Sequence, residues 1–251
     1  MPRYDFAAQR LFVTAPLAPG AKINLDQTQA NYVRNVLRLR DDSKILVFNG
    51  RDGEWEAVVA PVGRKDVALG VRKMTRPQPP PPGLYYLFSP LKHARQDYMI
   101  EKAVEMGAGR LCPVVTRRTQ AIRVNGERMR AHAIEAAEQC GILSVPEIAP
   151  PLQLEALLRD WDKGRLLIFC DEDAPVADPC ALLRTHRAKI LPQKLAILIG
   201  PEGGFEPSER EALLGLPCTI RLPLGPRILR ADTAGVAALA VVQAVLGDWQ
   251  G

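Results

Sequence analysis

Two stretches of this sequence carry residue types suited to chemistry. The first, Ile199-Gly200-Pro201-Glu202-Gly203-Gly204-Phe205, directly follows the apolar run Leu195 to Ile199. Its glycines permit positive φ and let a ligand approach bare backbone N–H and C=O groups. Pro207 suits the first position of a following helix, and Glu209 suits its first turn. The second, Leu222-Pro223-Leu224-Gly225-Pro226-Arg227-Ile228-Leu229-Arg230-Ala231-Asp232-Thr233-Ala234, also follows an apolar run and precedes a helix. In open α/β sheets ligands collect at the carboxyl ends of strands. Two such loops side by side could therefore enclose a flat, mostly neutral ligand through backbone contacts, with Arg227 or Arg230 facing an anionic partner. Taken singly, the first loop reads equally well as a tight strand-to-helix turn, and the second is a weak signal. Other chemistries lack their residues. No G-x-G-x-x-G follows a strand, and neither G-x-x-x-x-G-K-[ST] nor G-x-S-x-G occurs. Of the three histidines, His93, His132 and His186, the second falls in a helical pattern and the third in a basic segment, where surface or packing roles are usual.

The elements that must position these loops follow from the hydrophobic pattern. From Gly83 onward strands alternate with helices, the mark of an α/β layered domain. Leu84 to Phe88, Leu111 to Val115, Arg165 to Cys170, Leu195 to Ile199 and Thr219 to Leu222 read as buried parallel strands. Helices are expected over Asp97 to Glu105, Glu127 to Cys140, Ser208 to Leu214 and Asp232 to Leu246. Upstream, β-rich runs recur at Gln9 to Val13, Lys22 to Leu25, Lys44 to Phe48, Glu54 to Pro61 and Val67 to Met74, which suits a small barrel or curled sheet. One helix, Gln27 to Leu39, is expected there, with Ala30, Val33, Val36, Leu37 and Leu39 near a 3.6-residue period. Between the two parts, Arg76-Pro77-Gln78-Pro79-Pro80-Pro81-Pro82-Gly83 reads as a short stiff linker. The expected organisation is residues 1–75, a linker over 76–83, and residues 84–251.

Composition narrows the class. The chain has 251 residues, 47% hydrophobic and 24% charged, which excludes disordered and fibrous proteins. Five cysteines, none spaced C-x-x-C, argue against a disulfide framework and a tetrahedral zinc site. The opening MPRYDFAAQR has no apolar core, and Ala234 to Gly247 is too short to span a bilayer, so a cytoplasmic protein is expected. Residues 1–83 hold 13 basic and 8 acidic side chains, which is the entire net charge of +5, since residues 84–251 hold 20 of each. Within the second part, Lys92 to Arg130 carries 9 basic and 4 acidic residues. These two basic regions are the candidate surface for a polyanion.

The first loop with Glu209, together with LGPRILRADTA in the second, resembles the paired C-terminal signatures of the RsmE family of 16S ribosomal RNA (uracil-N3)-methyltransferases, a branch of the SPOUT superfamily. Further matches are Asn35-Val36-Leu37-Arg38, Lys92, Glu101-Lys102-Ala103-Val104-Glu105-Met106-Gly107, Pro113 with Thr116 and Arg118, Glu138-Gln139-Cys140-Gly141, and Val145-Pro146-Glu147-Ile148. They run in collinear order through nearly the whole chain. The resemblance implies an α/β SPOUT-type methyltransferase domain with a C-terminal trefoil knot, preceded by a PUA-like β-barrel. It implies a homodimer with the helix Asp232 to Leu246 near the interface, and 16S rRNA of the small ribosomal subunit as partner. The implied cofactor is S-adenosyl-L-methionine. By position it would be held by Phe169, Cys170 and Asp171, by Ile199, Gly200, Pro201, Glu202, Gly203 and Gly204, and by Leu222, Leu224, Gly225, Ile228 and Leu229. RNA would meet Arg34, Arg38, Arg40, Lys92, Arg95, Arg118 and Arg123.

Moving a sulfonium methyl group onto uracil N3 requires loss of the N3 proton. Such a site needs alignment and help for a developing anion more than a metal. Arg230 or Arg227 could supply that help. Asp232 and Glu202 are the nearby carboxylates, each able to act as a base, a helix cap or a loop brace. The sequence departs from the family at Ala231-Asp232-Thr233, where Thr-Glu-Thr is usual, at Ile142, where an Arg is usual, and at Tyr32, where a His is usual. The first departure leaves open a non-catalytic RNA-binding or assembly factor on the same scaffold, and another RNA substrate stays open as well.

Overall fold

The structure, a computed structural model, describes residues 5, 7–61, 66–92, 94–120, 123–175, 177–187 and 194–250; His93 lies outside them. The chain forms two compact units, Met1–Pro80 with Ile134–Val145, and Pro81–Ala133 with Pro146–Gly251.

In the first unit alternating apolar positions make a five-stranded sheet of β1 (Arg10–Phe12), β2 (Lys22–Asn24), β3 (Lys44–Phe48), β4 (Glu54–Pro61) and β5 (Val67–Arg76), in the order β1-β3-β4-β5-β2. The β1–β3 pair is parallel and the others are antiparallel. Along β4, Trp55, Ala57 and Val59 turn inward onto Val47, Leu69 and Val71, the two-residue period of a half-buried strand. The sheet is open rather than a closed barrel, because no ladder joins β1 to β2 among the described residues. The expected helix is also shorter. α1 (Gln27–Asn31) starts at Asp26, whose side chain accepts the Gln29 N–H, and a wider π turn follows over Tyr32–Val36. That turn carries Val36 out of phase, leaving it 59% exposed, while Ala30 and Val33 stay buried. Arg10 and Arg76 both bind Glu54, at 2.9 and 2.6 Å, so two cations and one carboxylate are committed internally and the N-terminal excess left for a partner falls by one. Burial pushes the Glu54 carboxyl up, but hydrogen bonds from Arg76, Thr75 and Arg10 outweigh it and hold it below the usual range.

Helix α3 (Gly126–Cys140) brings Glu138 to the Phe12 N–H at 2.8 Å. Burial, aided by the neighbouring Glu135 and opposed by that hydrogen bond, pushes the Glu138 carboxyl up to about 7. A carboxyl raised on folding contributes stability that is complete below its unfolded value and is lost as pH rises through the folded one. Stability should therefore decline between roughly pH 4.5 and pH 7, by at most about 3 kcal/mol. Glu138→Gln should flatten the decline in urea midpoints measured across that window; an unchanged pH profile would remove Glu138 as its source.

The second unit is built on parallel strands β6 (Leu84–Phe88), β7 (Arg110–Val115), β8 (Glu147–Ile148), β9 (Leu152–Gln153), β10 (Leu166–Cys170), β11 (Leu195–Ile199) and β12 (Thr219–Leu222). Their order is β12-β10-β11-β6-β7-β8, with β9 also on β7. β11 is thus inserted between β6 and β10, both earlier in the chain. α2 (Ala94–Glu105), α4 (Leu154–Arg159), α5 (Pro179–His186), α6 (Pro207–Leu214) and α7 (Ala231–Val245) cover the sheet. α7 packs on α2, α5 and β11, and α4 packs on α6 and β7. Among the described residues no helix is long and apolar enough to cross a membrane.

α7 buries Ala231, Gly235, Ala238, Leu239, Val242 and Val245, one face of a helix rich in small residues. Its buried Gln243 is satisfied by the Met106 carbonyl at 2.6 Å and by the Asp248 N–H. A Cβ at Gly235 would lie 2.2 Å from the hydroxyl of Tyr86, a fully buried side chain whose hydroxyl has no hydrogen-bond partner among the described residues. Gly235→Ala should cost about 1–3 kcal/mol by overpacking. Because the next atom of the ring lies at 3.2 Å, adding Tyr86→Phe should recover part of that loss. Denaturation midpoints of both variants check this, and a parent-like midpoint for Gly235→Ala would refute it.

Candidate functional site

β10, β11 and β12 are neighbours and all point the same way, so their C-terminal ends open onto one edge. The connections leaving those ends, residues 171–174, 200–205 and 223–230, enclose a cavity of about 380 Å³, within the size range of small-ligand sites. Every residue expected from the sequence to hold a cofactor lines it except Phe169 and Gly203. Phe169 is fully buried, its ring edge-on to Phe205 at 5.2 Å, and supports the wall from behind. Gly203 faces the other way, towards Arg118.

The lining mixes apolar side chains, Ile199, Leu222, Leu224 and Leu229, with exposed backbone and a few charges. Gly225 has φ +94°, with no atom within 4 Å of where a side chain would begin, so its backbone lies bare. The Asp171 carboxylate is committed within the protein. Its carboxylate receives Arg210 at 2.9 Å, Arg221 at 2.8 Å and the Asp173 N–H at 3.2 Å. Burial raises its pKa, yet those donors outweigh burial and keep it ionised below the usual value. This carboxylate anchors the loop after β10 to α6 and β12. Burial pushes the Cys170 thiol up to about 12, so it is protonated and inert, an apolar filler rather than a nucleophile.

Arg227 and Arg230 both line the cavity and are exposed, and neither is paired with a carboxylate among the described residues. Arg230 sits at the N-cap of α7 with extended backbone (φ −67°, ψ 153°) and no capping bond from its side chain. Asp232 is outside the lining, in the first turn of α7, where its Oδ1 accepts the Thr233 N–H at 2.9 Å. Glu202 lines the cavity and is paired with Arg95. Sequence reasoning missed Glu172, Asp173, Ala174 and Arg210. The first three directly continue the strand end that was recognised, so extending each strand-end loop by one turn would have found them.

Of the basic residues assigned to RNA, Lys92, Arg95 and Arg118 share a second cavity. Arg34 is tied to Asp41 and to the Leu39 carbonyl at 3.1 Å. Arg38, with φ +56°, Arg40 and Arg123 are exposed.

Comparison with known proteins agrees in both units. The profile of the RNA methyltransferase domain matches residues 78–243, and that of the RNA methyltransferase PUA domain matches residues 25–71. Ribosomal RNA small subunit methyltransferase E of Rickettsia conorii is 29% identical over 93% of this chain and 94% of its own length. The Bacillus subtilis protein of the same name is 27% identical over 85% and 86%. A Legionella pneumophila methyltransferase solved with bound SAM superposes with a TM-score of 0.79 at 27% identity, covering 96% of this chain and 98% of that one. A ribosomal RNA small subunit methyltransferase E from Neisseria gonorrhoeae, at 23% identity, a TM-score of 0.80 and coverage of 97% and 100%, shares the fold.

Proposed function

This chain belongs to the RNA methyltransferase family, and from that premise we propose that it methylates N3 of a specific uridine in 16S rRNA of the small ribosomal subunit. The observation that carries the reading is the three-loop cavity, where bare backbone and apolar side chains can hold a nucleoside while Arg227 and Arg230, exposed and without a carboxylate partner among the described residues, line it as well. The residues present fit S-adenosylmethionine: Gly225 leaves its backbone bare, and Ile199, Leu224 and Leu229 put apolar side chains along the space a purine would take. The cofactor, when bound, would supply a methyl group carried on a sulfonium, leaving a neutral thioether, while the proton lost from uracil N3 would pass to water.

Around that exchange the chain's residues orient and polarise. Arg230 is assigned the oxygen of the uracil that gains negative charge, with Arg227 nearer the RNA backbone. Asp232 is assigned to the helix start rather than to the proton, because its carboxylate bonds its own helix. In the same reading, residues 1–75 form the PUA-like RNA-holding domain, 76–83 its linker and 84–251 the catalytic domain, with Arg34, Arg38, Arg40, Lys92, Arg95, Arg118 and Arg123 meeting RNA. The C-terminal segment would thread a trefoil knot, supported by the late insertion of β11 between β6 and β10. A cytoplasmic homodimer with α7 near the partner completes the proposal.

The test is methylation of unmodified small subunits, naked 16S rRNA and transfer RNA with methyl-labelled cofactor, followed by identification of the product nucleoside. 3-Methyluridine in the small subunit or its rRNA is expected. Label in a 5-methyl or ribose-methyl nucleoside would overturn the N3 assignment, and cofactor binding without transfer would turn the reading to an RNA-binding factor.

A further inference from the structure

β11 lies at the centre of the sheet, and the loop that leaves it, residues 200–206, is a wall with two sides. On one side is the cofactor cavity above β12, β10 and β11. On the other, above β11, β6 and β7, is a second cavity of about 330 Å³ lined by Lys92, Arg95, Arg118, Gln120, Pro201 and Glu202. Pro201 and Glu202 face both. Three cations against one carboxylate make this second space a seat for an anion.

Both arginines are held by the wall. Arg95 pairs with Glu202. Arg118 donates to Glu206 at 2.7 Å and to the Gly203 carbonyl at 2.8 Å. These pairs are open to solvent, their side chains 34–47% exposed, and so weakly held, whereas the frame beneath them is firm. Buried Glu209 accepts the Arg117 N–H at 2.9 Å and the Glu206 N–H at 3.0 Å, fastening the wall to the turn after β7. An incoming phosphodiester can therefore exchange for the carboxylates without dismantling the loop. When Arg95 changes partner, the Glu202 carboxylate is left unpaired on the edge of the cofactor cavity, where it favours a cationic occupant over a neutral one.

We propose that the second cavity seats a phosphate of the RNA strand, and that Arg95 and Arg118 exchange wall carboxylates for it. Glu202, once released, then raises the affinity of the neighbouring cavity for the positively charged cofactor over its neutral product. The proposal rests on the methyltransferase reading of the first cavity. It makes Glu202 a positioning group whose charge is switched by RNA, and it couples the two sites reciprocally.

The experiment uses the full chain, an unmodified 16S rRNA transcript, and two unreactive cofactor analogues: sinefungin, which carries an amine where the sulfonium sits, and neutral S-adenosylhomocysteine. Arg95→Gln and Arg118→Gln should each weaken transcript binding about tenfold and lower the slope of log K against log salt by about one. Glu206→Gln, which removes the competitor of Arg118, should strengthen binding. Saturating transcript should raise the affinity for sinefungin about fivefold or more while leaving that for S-adenosylhomocysteine unchanged, and Glu202→Gln should abolish that selectivity. Arg118→Lys, which keeps the charge, separates loss of a phosphate contact from loss of the loop's fold, because it should retain the salt slope. Parent-like transcript affinity and salt slope in both Gln variants, or equal response of the two analogues to RNA, would overturn the proposal. Failure of the parent chain to bind either analogue would overturn the underlying methyltransferase reading instead.

Discussion

Arg230→Ala is expected to slow methyl transfer in a single turnover by about 100- to 1000-fold while moving cofactor affinity by no more than about threefold. The contrast with Arg210 explains why. Both side chains line the cavity, but Arg210 is committed to Asp171 at 2.9 Å and approaches Asp173 at 3.6 Å, so its charge is neutralised and its role is to hold loops together. Arg230 has no such partner among the described residues and stands at the N-cap of α7, where its side chain makes no capping bond. An unpaired guanidinium at the rim of a partly apolar cavity gains most from a partner that becomes negative during the reaction. Truncation should leave the melting temperature unchanged, because the side chain makes no capping bond. Arg230→Lys should recover part of the rate, as a point charge without the planar fork. Arg227→Ala, on the more exposed part of the loop, should cost less turnover and more RNA affinity. Rapid-quench transfer rates beside calorimetric cofactor affinity decide the matter: parent-like transfer by Arg230→Ala would remove the residue from the mechanism.

What the sequence disclosed of this site, and what it withheld, follows from the range of the interactions involved. β6 and β11 were readable to the residue because each is a five-residue apolar run bounded by turn formers and buried on both faces. The cofactor loops were readable because glycine and proline act locally, through φ and through the missing N–H. The two-residue strands β8 and β9 carry no period to detect. α5 did carry a local signal that was overlooked, Asp178 accepting the Cys180 N–H ahead of Pro179 at the first helical position. In the N-terminal unit, the apolar spacing through Leu39 favoured one long helix, whereas the chain widens into a π turn at Tyr32–Val36 that leaves Val36 exposed. The charges were least legible of all. Asp171 lines the cavity, while its carboxylate is held by Arg210 and Arg221, 39 and 50 residues away, which no local pattern discloses. Arg95 meets Glu202 across 107 residues, a pairing that no local pattern encodes. The net +5 likewise overstated the surface available to RNA, since Arg10 and Arg76 lie against Glu54.

Gly200→Ala tests whether the wall between the two cavities is as close-packed as its geometry implies. Gly200 is the first residue after β11, and a Cβ there would lie 2.3, 2.9 and 3.0 Å from three atoms of the Phe205 ring. The ring has little room to retreat, because it is packed edge-on against Phe169, a fully buried side chain of β10. The added methyl must therefore open the loop, and overpacking of this kind costs about 1–3 kcal/mol. If that cost is borne by the binding-competent loop conformation, S-adenosylmethionine affinity falls by about 10- to 100-fold. The fold itself should survive, since the loop leaves the sheet here and the β11 ladder ends at Ile199. Shortening the obstructing ring distinguishes a steric cause from the loss of a backbone contact. In the double variant Gly200→Ala, Phe205→Leu the methyl has space, and most of the lost affinity should return, whereas Phe205→Leu alone should bind slightly less well than the parent because it loosens the wall. Calorimetry on the four proteins gives the coupling energy directly. An undiminished affinity in Gly200→Ala would mean that the loop already yields at this point, and the wall could then not transmit a change of partner at Glu202 from one cavity to the other.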